Sequence, residues 1–310
     1  MKRNKRSKLG RYNRAGYFFV LPFVIIFLIF NIYPVLRTLY FSFTTYKGFG
    51  EPTFNGVENY SRVLQDKFFW RALWNTIRIW GLNIIVQLGI AFILIMVYTN
   101  FYYKIKGLQV ARIVYYLPNL IATASVAFLF KTLLDWKYGS INQMIIDVGH
   151  SFNQNPQPVD WFGNPKTAGV MISLISAWMW FGNSFLILMS AVQAVDKNYY
   201  EAAALDGANN LQMFTNITLP LISPVFRYVA LTSLIGGLQM FDLPYLIYSG
   251  GRSSAAYKSV ETVVMYMYKF GFESGTLQIG YASAISYVLF FIILIFSFHY
   301  VRKIVKEEVF

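Results

Sequence analysis

Six apolar stretches, each close to the length that crosses a lipid bilayer, most constrain how this 310-residue chain can fold. A helix needs about 20 apolar residues to cross a hydrocarbon core of about 30 Å. Helices satisfy all backbone polar groups internally, as lipid requires. The sequence therefore predicts an all-α integral membrane protein with six transmembrane helices, near 17–36, 77–97, 113–134, 168–192, 224–248 and 280–301.

The composition agrees with a chain whose main solvent is lipid. Only 13% of the residues are charged, about half of the fraction usual for soluble chains. A net charge of +13 is also found in proteins that bind nucleic acid. Here, however, seven of the 27 Lys and Arg residues are concentrated before Gly16, directly beside the first apolar stretch. We therefore expect contact with membrane lipid and none with nucleic acid. The absence of Cys excludes disulfides, thiolate metal sites and cysteine nucleophiles.

Basic residues beside the spans predict the orientation of the chain, because they favour the cytoplasmic flanks. With the N-terminus inside, these flanks hold the basic run before Gly16 and then Lys104, Lys106, Arg112, Lys197, Arg302, Lys303 and Lys306. The sequence thus predicts a cytoplasmic basic N-terminus at 1–16, a six-span domain at 17–301 and a cytoplasmic tail at 302–310. The first span is longer than a signal-peptide core, so we expect an uncleaved anchor.

An outer segment between the first two predicted spans has helical periodicity. The apolar residues with helical spacing are Tyr60, Val63, Leu64, Phe68, Phe69 and Leu73. This spacing predicts an amphipathic helix over 57–74 that lies on the membrane interface.

The segment at 196–222, between the fourth and fifth spans, is too polar for a membrane and faces the cytoplasm in this orientation. A run of good helix formers ends at Asp206-Gly207, which is typical of a helix C-terminus. Asn209 or Asn210 can cap a second helix that runs to about Thr218. The sequence predicts a compact helix–turn–helix here.

This segment resembles the cytoplasmic signature of the permease subunits of binding-protein-dependent ABC importers. The signature has the form E-A-A, then D-G-A, then I-x-L-P. Its positions are met by Glu201, Ala202, Ala203, Asp206, Gly207, Ala208, Ile217, Leu219 and Pro220. The stretches at 16–44, 54–66 and 236–286 are similar to the carbohydrate branch, the maltose and multiple-sugar type. One departure is Arg252, which follows two glycines where the family often has a proline.

The resemblance implies a type I ABC importer permease fold and a non-catalytic subunit that moves a sugar or oligosaccharide. It implies a coupling helix for a separate ATPase dimer, which would bind ATP and Mg²⁺, with no cofactor in this chain. The other implied partners are a second permease subunit, in a heterodimer, and an extracellular sugar-binding protein. The implied location is the cytoplasmic membrane of a bacterium or archaeon. The implied coupling residues are Glu201, Ala202, Ala203, Asp206, Gly207, Ile217, Leu219 and Pro220.

The sequence predicts no catalytic or metal site. A phosphate-binding loop needs a second glycine that the stretch at 163–167 lacks. His150 and His299 fall on opposite sides of the membrane in the predicted topology, so they cannot share a metal ion. We therefore expect no enzymatic activity in this chain.

Polar side chains inside the spans predict a path for the solute, because such groups are costly in lipid and usually face a wet cavity. Sugars are bound by amides and carboxylates, with aromatic rings against their apolar faces. Asn83 and Gln87 are candidates on the second span. The strongest candidates for the path are Gln239, Met240 and Asp242, because they lie in the stretch that is similar to the sugar-pocket segment of maltose-type permeases. The predicted path comprises Gln239, Met240, Phe241, Asp242, Tyr245, Asn119 and Asn183.

Gln239 and Asp242 are three residues apart, so we expect them to share one helical face. For any single polar residue of the path, the alternative role is a hydrogen bond between helices. For the whole chain, the alternative is a six-span secondary transporter of a polar solute, which would need inverted repeats and a buried ionisable relay. No clear repeat is visible, and Asp242 is the only acid well inside a predicted span.

Overall fold

The computed structural model describes residues 6–103, 107–249, 254–273, 275 and 277–308, with side-chain surroundings from Gly16 to Arg302. Some basic residues of the predicted cytoplasmic flanks lie outside the described residues, namely Lys2, Arg3 and Lys5 of the run before Gly16, Lys104, Lys106 and the side chains of Lys303 and Lys306. Arg252, the departure from the family pattern, lies outside them too.

The N-terminal part of the chain is a long helical run followed by a short strand pair. Helix α1 (Arg6–Phe27) joins α2 (Tyr33–Ser42) through one π-helical turn, Leu28–Ile32. The turn lies directly before Pro34, which cannot donate a backbone hydrogen bond and crowds the carbonyl four residues earlier. Strands β1 (Thr44–Thr45) and β2 (Thr53–Phe54) pair antiparallel, and α3 follows at Glu58–Gln65.

The rest of the chain is helical between its loops. The central helices are α4 (Lys67–Tyr98), α5 (Leu108–Leu120), α6 (Thr123–Leu133), α7 (Ser140–Ser151) and α8 (Pro165–Gln193). A polar stretch follows with α9 (Lys197–Leu205), α10 (Asn210–Met213), a π-helical turn at Phe214–Thr218 and α11 (Leu219–Leu221). The last helices are α12 (Ser223–Leu238), α13 (Asp242–Ile247), α14 (Ala255–Val260), α15 (Val263–Phe272) and α16 (Ile279–Glu308).

Within the described residues, five stretches are long and apolar enough to cross a membrane, and α5 with α6 forms a sixth, bent pair. This result confirms the prediction of a helical membrane protein, with six membrane spans when the bent pair is taken as one of them; the N-in, C-in orientation stays a prediction. The five continuous stretches are Gly16–Ser42, Lys67–Tyr98, Pro165–Gln193, Ser223–Ile247 and Ile279–Arg302.

The predicted interfacial helix over 57–74 is wrong. Asp66 has extended backbone angles and ends α3 after Gln65. The residues from Lys67 onward belong to the long helix α4, where Phe69 and Leu73 are buried. The helix of the second span therefore begins ten residues earlier than hydropathy indicated. Its first turns contain polar residues, which lower the mean hydropathy, and are held by packing against other parts of the protein.

The third span is not one straight helix. Helices α5 and α6 meet at an angle of 89°, because Ile121 and Ala122 between them are extended. Pro118 in the last turn of α5 removes a backbone donor from that turn. The predicted span over 113–134 is thus a broken one.

The chain divides into two compact units, of which the first contains the residues up to Asp66 together with Met267–Leu289. Asn59 Nδ2 donates to the carbonyls of Ser42 and Thr44, at 3.0 and 2.9 Å. The Tyr281 hydroxyl donates to Asp66 Oδ2 at 2.6 Å, and the Arg62 guanidinium lies 3.9 Å from the centre of the Tyr281 ring. These polar and aromatic contacts tie the strand-and-α3 region to the start of α16.

The second unit contains Lys67–Tyr266 and the residues from Phe290 onward. Helices α4 and α8 are packed side by side at its centre. One apolar cluster includes Ile79, Ile172, Ile175, Leu243 and Ile247. A second cluster includes Leu88, Ile95, Phe185, Leu188 and Ile222.

Gly182 sets the distance between α5 and α8. A Cβ atom at this position would lie 1.8 Å from the carbonyl oxygen of Tyr115, so the two helix backbones can approach this closely only at glycine. We predict that Gly182→Ala lowers the stability of the purified protein in detergent by about 1–3 kcal/mol, because overpacking forces the backbones apart.

Thermal unfolding measures this loss as a fall in Tm. Gly89→Ala in α4 is the matched control, because a Cβ atom there meets nothing within 4 Å and alanine favours a helix by about 1 kcal/mol over glycine. An equal response of the two variants would contradict the close approach of α5 and α8.

Candidate functional site

The loop at 196–222 has one sharply ended helix. The Asp196 side chain caps the start of α9 by accepting from the backbone N–H of Asn198 at 3.0 Å. At the other end, Gly207 has φ +80°, and the N–H groups of Gly207 and Ala208 bond to the carbonyls of Ala204 and Ala203. This pair of bonds is the Schellman arrangement, which needs the left-handed backbone that glycine adopts readily. The predicted helix end at Asp206-Gly207 is confirmed.

The second helical part of the loop begins with a capping box. Asn209 Oδ1 accepts from the Gln212 N–H at 2.9 Å, and Gln212 Oε1 accepts from the Asn209 N–H at 2.8 Å. Of the two predicted caps, Asn209 is the one used. The helical run then passes through the π-helical turn Phe214–Thr218, which lies directly before Pro220 as the first π turn lies before Pro34.

The loop is fastened to the end of α4. Asn210 Nδ2 donates to the carbonyl of Met96 at 3.4 Å, and Asn210 Oδ1 accepts from the Phe101 N–H at 3.3 Å. The Tyr102 hydroxyl donates to the carbonyl of Ala208 at 2.6 Å. The first of these bonds reaches α4 itself and the other two reach the residues that follow it, so the start of α10 and the turn before it are held against the end of α4.

The outer surface of the loop is unusually apolar for a polar segment. The Leu205 side chain is 90% exposed, and Tyr199 and Leu211 are more than half exposed. Leu205 was not singled out from the sequence, although an isolated leucine at the end of a polar helix was a usable signal. Of the signature residues, Glu201, Ala202, Asp206, Gly207 and Pro220 are exposed, and Ala203, Ile217 and Leu219 are half-buried.

A cavity of about 340 Å³ lies among α4, α6, α8, α12 and the start of α13. Its volume falls within the range of small-molecule sites. The lining residues with polar side chains are Asn83, Gln87, Thr123, Ser176, Asn183, Ser184, Thr232, Ser233, Gln239 and Asp242, and Trp180 and Phe241 supply aromatic surface.

The structure places five of the seven residues of the predicted solute path in the cavity lining, namely Asn183, Gln239, Met240, Phe241 and Asp242. Tyr245 is not among the lining residues and stacks behind Phe241, with ring centres 4.6 Å apart. Asn119 is not among them either and lies half-buried near the end of α5.

Gln239 and Asp242 do not share one helical face, contrary to the prediction. Helix α12 ends at Leu238 and α13 begins at Asp242. Phe241, between them, has φ −136° and ψ −56°, outside the helical region. Pro244 explains the break, because it cannot donate to the carbonyl of Met240 and its ring crowds that carbonyl. Gln239 reaches the cavity from the non-helical segment after α12, and Asp242 reaches it from the first residue of α13.

The hydroxyl residues of the lining were missed by the sequence analysis. Thr123, Ser176, Thr232 and Ser233 are small and common in membrane helices, so their positions in the sequence carry no signal. Their grouping depends on how α6, α8 and α12 pack, which hydropathy does not describe.

The polar wall that α4 contributes to the cavity consists of Asn83 and Gln87, and the protein itself uses part of their hydrogen-bonding capacity. Gln87 Nε2 donates to Ser184 Oγ at 2.6 Å, which links α4 to α8. Asn83, one turn away, is 95% buried, and its Oδ1 accepts no hydrogen bond from the described part of the chain. Because buried polar atoms are usually paired, this wall has bonding capacity that the described residues do not use.

The charge of the lining is simple. Asp242 is the one carboxylate among the described lining residues, and none of them is Lys, Arg or His. Across the described chain, no group of three or more His, Cys, Asp or Glu side chains is arranged to hold a metal ion. The cavity therefore offers hydrogen bonds, aromatic faces and one negative charge.

Comparison with known proteins relates most of the chain to one family. Residues 89–309 match the family described as binding-protein-dependent transport system inner membrane component. The chain is 30% identical to the lactose transport system permease protein of Rhizobium radiobacter, over 96% of this chain and 97% of the relative. It is 31% identical to the trehalose/maltose transport system permease protein of Thermococcus litoralis, over 97% of this chain and 98% of the relative.

A solved structure has the same fold. A chain in the crystal structure of a bacterial ABC transporter involved in the import of the acidic polysaccharide alginate superposes with a TM-score of 0.79 and 24% identity. The match covers 97% of this chain and 99% of the other.

The cavity lining can be mapped chemically, because the chain has no natural Cys. We predict that single cysteines in place of Gln239 and Thr232, two exposed lining residues, react with a water-soluble maleimide. Ser173→Cys is the control and should stay unreactive, because Ser173 is 0% exposed and donates to the carbonyl of Ile79. A cysteine at 239 that reacts as slowly as one at 173 would contradict a solvent-accessible cavity.

Proposed function

We propose, since this chain belongs to the family of inner membrane components of binding-protein-dependent transport systems, that it is a permease subunit of an ATP-driven importer of uncharged sugars or oligosaccharides. The observation that carries the choice of solute is the cavity lined by amides, hydroxyls, aromatic rings and a single carboxylate. The relatives named for lactose and for trehalose and maltose support the same class.

The lining chemistry fits a sugar ring. Amide groups of Asn183 and Gln239 can donate to and accept from sugar hydroxyls, and Asp242 can accept two such bonds. The faces of Trp180 and Phe241 can cover the apolar faces of a pyranose. Tyr245, stacked behind Phe241, holds that ring rather than touching the solute.

The charge of the lining favours an uncharged solute. A sugar carboxylate in this cavity would face Asp242 with no described cation in the lining to pair with. Two like charges 4 Å apart repel by about 1 kcal/mol even in water, and more in a less polar site. An anion that loses water without a partner adds a further cost. The solute of the alginate importer is acidic, so the shared fold does not carry a shared solute.

The loop at 196–222 is the proposed docking site for a separate ATPase dimer. It combines an exposed apolar tip at Leu205, the matched signature from Glu201 to Pro220 and two well-capped helix ends. It is bonded to the end of α4, whose residues Asn83 and Gln87 line the cavity. A displacement of the docked loop would therefore move a cavity wall as a rigid body, which is how hydrolysis on the partner can shift this chain between two states.

The remaining parts of the proposal follow from the family. ATP and Mg²⁺ bind to the ATPase, and this chain contributes no catalytic residue or cofactor site. A second, paralogous permease subunit completes the pathway, and an extracellular binding protein delivers the sugar. The complex lies in the cytoplasmic membrane of a bacterium or archaeon as a multi-pass assembly. The alternative of a secondary transporter is less well supported, because the described part of the lining holds one acid, and one acid does not make an ionisable relay.

Reconstitution tests the proposal. The complex with its second permease, ATPase and binding protein in lipid vesicles should hydrolyse ATP faster when a neutral sugar is present and should take that sugar up. The purified chain alone should hydrolyse no ATP. Hydrolysis by the single chain, or uptake without the ATPase, would rule the proposal out.

For the docking loop, we predict that Gly207→Val and Glu201→Lys each reduce sugar-stimulated ATP hydrolysis at least tenfold while the chain stays inserted. Valine cannot adopt the φ of +80° at low cost, so the helix end is lost, and lysine reverses a charge on the docking surface. Glu58→Lys in α3, an exposed residue outside the loop, is the control and should leave hydrolysis unchanged. Unchanged coupling in both loop variants would show that the ATPase docks elsewhere.

For the solute class, we predict that the purified complex, without binding protein, binds neutral disaccharides such as maltose, lactose or trehalose at least tenfold more tightly than their uronic acid derivatives of equal size. Asp242→Asn should narrow this gap. Asp147→Asn in α7, an exposed outer residue, is the matched control and should not. Equal binding of neutral and acidic sugars to the unaltered complex would refute the charge argument.

A further inference from the structure

The break in the fifth span leaves one carbonyl without its helical partner. In a continuous helix, the carbonyl of Met240 would accept from the N–H of the residue four positions later. That residue is Pro244, which has no N–H. An unpaired carbonyl inside a membrane protein is costly, so the break requires a donor from elsewhere.

Thr262 supplies that donor. Its hydroxyl donates to the carbonyl of Met240 at 2.7 Å across 22 residues of sequence. The same oxygen accepts from the N–H of Met265 at 3.3 Å, which directs the hydroxyl hydrogen toward Met240. The Thr262 side chain is 0% exposed, so water does not compete for this bond.

The segment around Thr262 is fastened in turn to α4. The Glu261 carboxylate, 4% exposed, pairs with the Arg71 guanidinium at 3.2 Å. Asn75 Nδ2 donates to the carbonyl of Glu261 at 3.2 Å, and the N–H of Val263 donates to Thr76 Oγ1 at 3.0 Å. Arg71, Asn75 and Thr76 lie on the first turns of the helix that carries Asn83 and Gln87. Thr262 is therefore a fixed point relative to the α4 wall of the cavity.

We infer that Thr262 is a positioning residue for the solute cavity, acting through the carbonyl of Met240. It does not line the cavity. By holding residue 240 in the middle of the non-helical segment 239–241, it sets the directions in which Gln239 and Phe241 point and the position at which α13 begins with Asp242. This inference rests on the proposed function and names what determines the shape of that same site.

The bond is lost in Thr262→Val, which keeps the side-chain volume close to that of threonine, and it is kept in Thr262→Ser. In the reconstituted complex, the sugar concentration for half-maximal ATP hydrolysis should rise about tenfold in Thr262→Val with little change in the basal rate. Thr262→Ser should need the same sugar concentration for half-maximal hydrolysis as the unaltered complex. Thr132→Val, which removes an exposed hydroxyl bonded within α6, is the matched control and should behave as the unaltered complex.

A second variant tests the reason for the bond. Pro244→Ala supplies the missing N–H at residue 244, so the carbonyl of Met240 no longer depends on Thr262. Adding Pro244→Ala should therefore weaken the effect of Thr262→Val, and a double-mutant cycle measures this coupling. If Thr262→Val does not assemble, recovery of assembly in the double variant supports the inference. A double variant that fails as badly as Thr262→Val alone overturns it.

A third readout does not depend on transport. The rate at which a maleimide modifies Gln239→Cys should change in the Thr262→Val background and return in the Thr262→Ser background. Unchanged half-saturation together with an unchanged modification rate overturns the inference. If the unaltered complex shows no sugar-stimulated hydrolysis, the proposed function fails, and the modification rates still decide whether Thr262 positions residue 239.

Discussion

The need to pair every backbone polar group inside lipid governs this structure. It makes the spans helical, and the fold responds to several of the prolines within them in different ways. Before Pro34 the helix widens into a π turn. Near Pro118 it ends and turns by 89°. Before Pro244 it opens, and Thr262 pairs the carbonyl that the proline leaves. The cavity borders the last of these interruptions, so the constraint also determines where polar side chains can face a solute.

Helix α4 connects the two parts of the molecule that the proposed function requires. Its first turns hold the segment of Thr262, its middle lines the cavity through Asn83 and Gln87, and its last turn is bonded to the loop at 196–222. The loop meets the opposite requirement from the spans, because it is polar and satisfies its helix ends with its own caps. It can therefore keep its shape in water while leaving Leu205 exposed to a partner.

The sequence predicted those features that depend on neighbouring residues. Spans follow from a sum of hydropathies, and the helix end at Gly207 and the cap at Asn209 follow from local backbone chemistry. The family resemblance gave the importer-permease fold, which the matching fold of the alginate transporter chain confirms. Hydropathy did not reveal the bend at Ile121 and Ala122 or the break before Pro244, because it registers neither an extended backbone nor a missing N–H. Gln239 and Asp242 do reach one cavity, but from the two sides of a helix break rather than from a shared helical face. The hydrogen bond of Thr262 could not be predicted from the sequence, because its partner Met240 is 22 residues away and only tertiary packing brings the two together.

The π-helical turn at Phe214–Thr218 determines how the loop at 196–222 is oriented relative to α12. A π turn contains one more residue than an α-helix of the same rise, and one residue corresponds to about 100° of rotation about the helix axis. The turn therefore sets the rotation about the helix axis between the start of α12 and the segment capped by Asn209. Deletion or insertion of one residue there is expected to rotate the segment before the turn by about 100° relative to α12, and the bonds from Asn210 to Met96 and Phe101 oppose that rotation. The length of this turn and the bonds to the end of α4 therefore fix the orientation of the loop together.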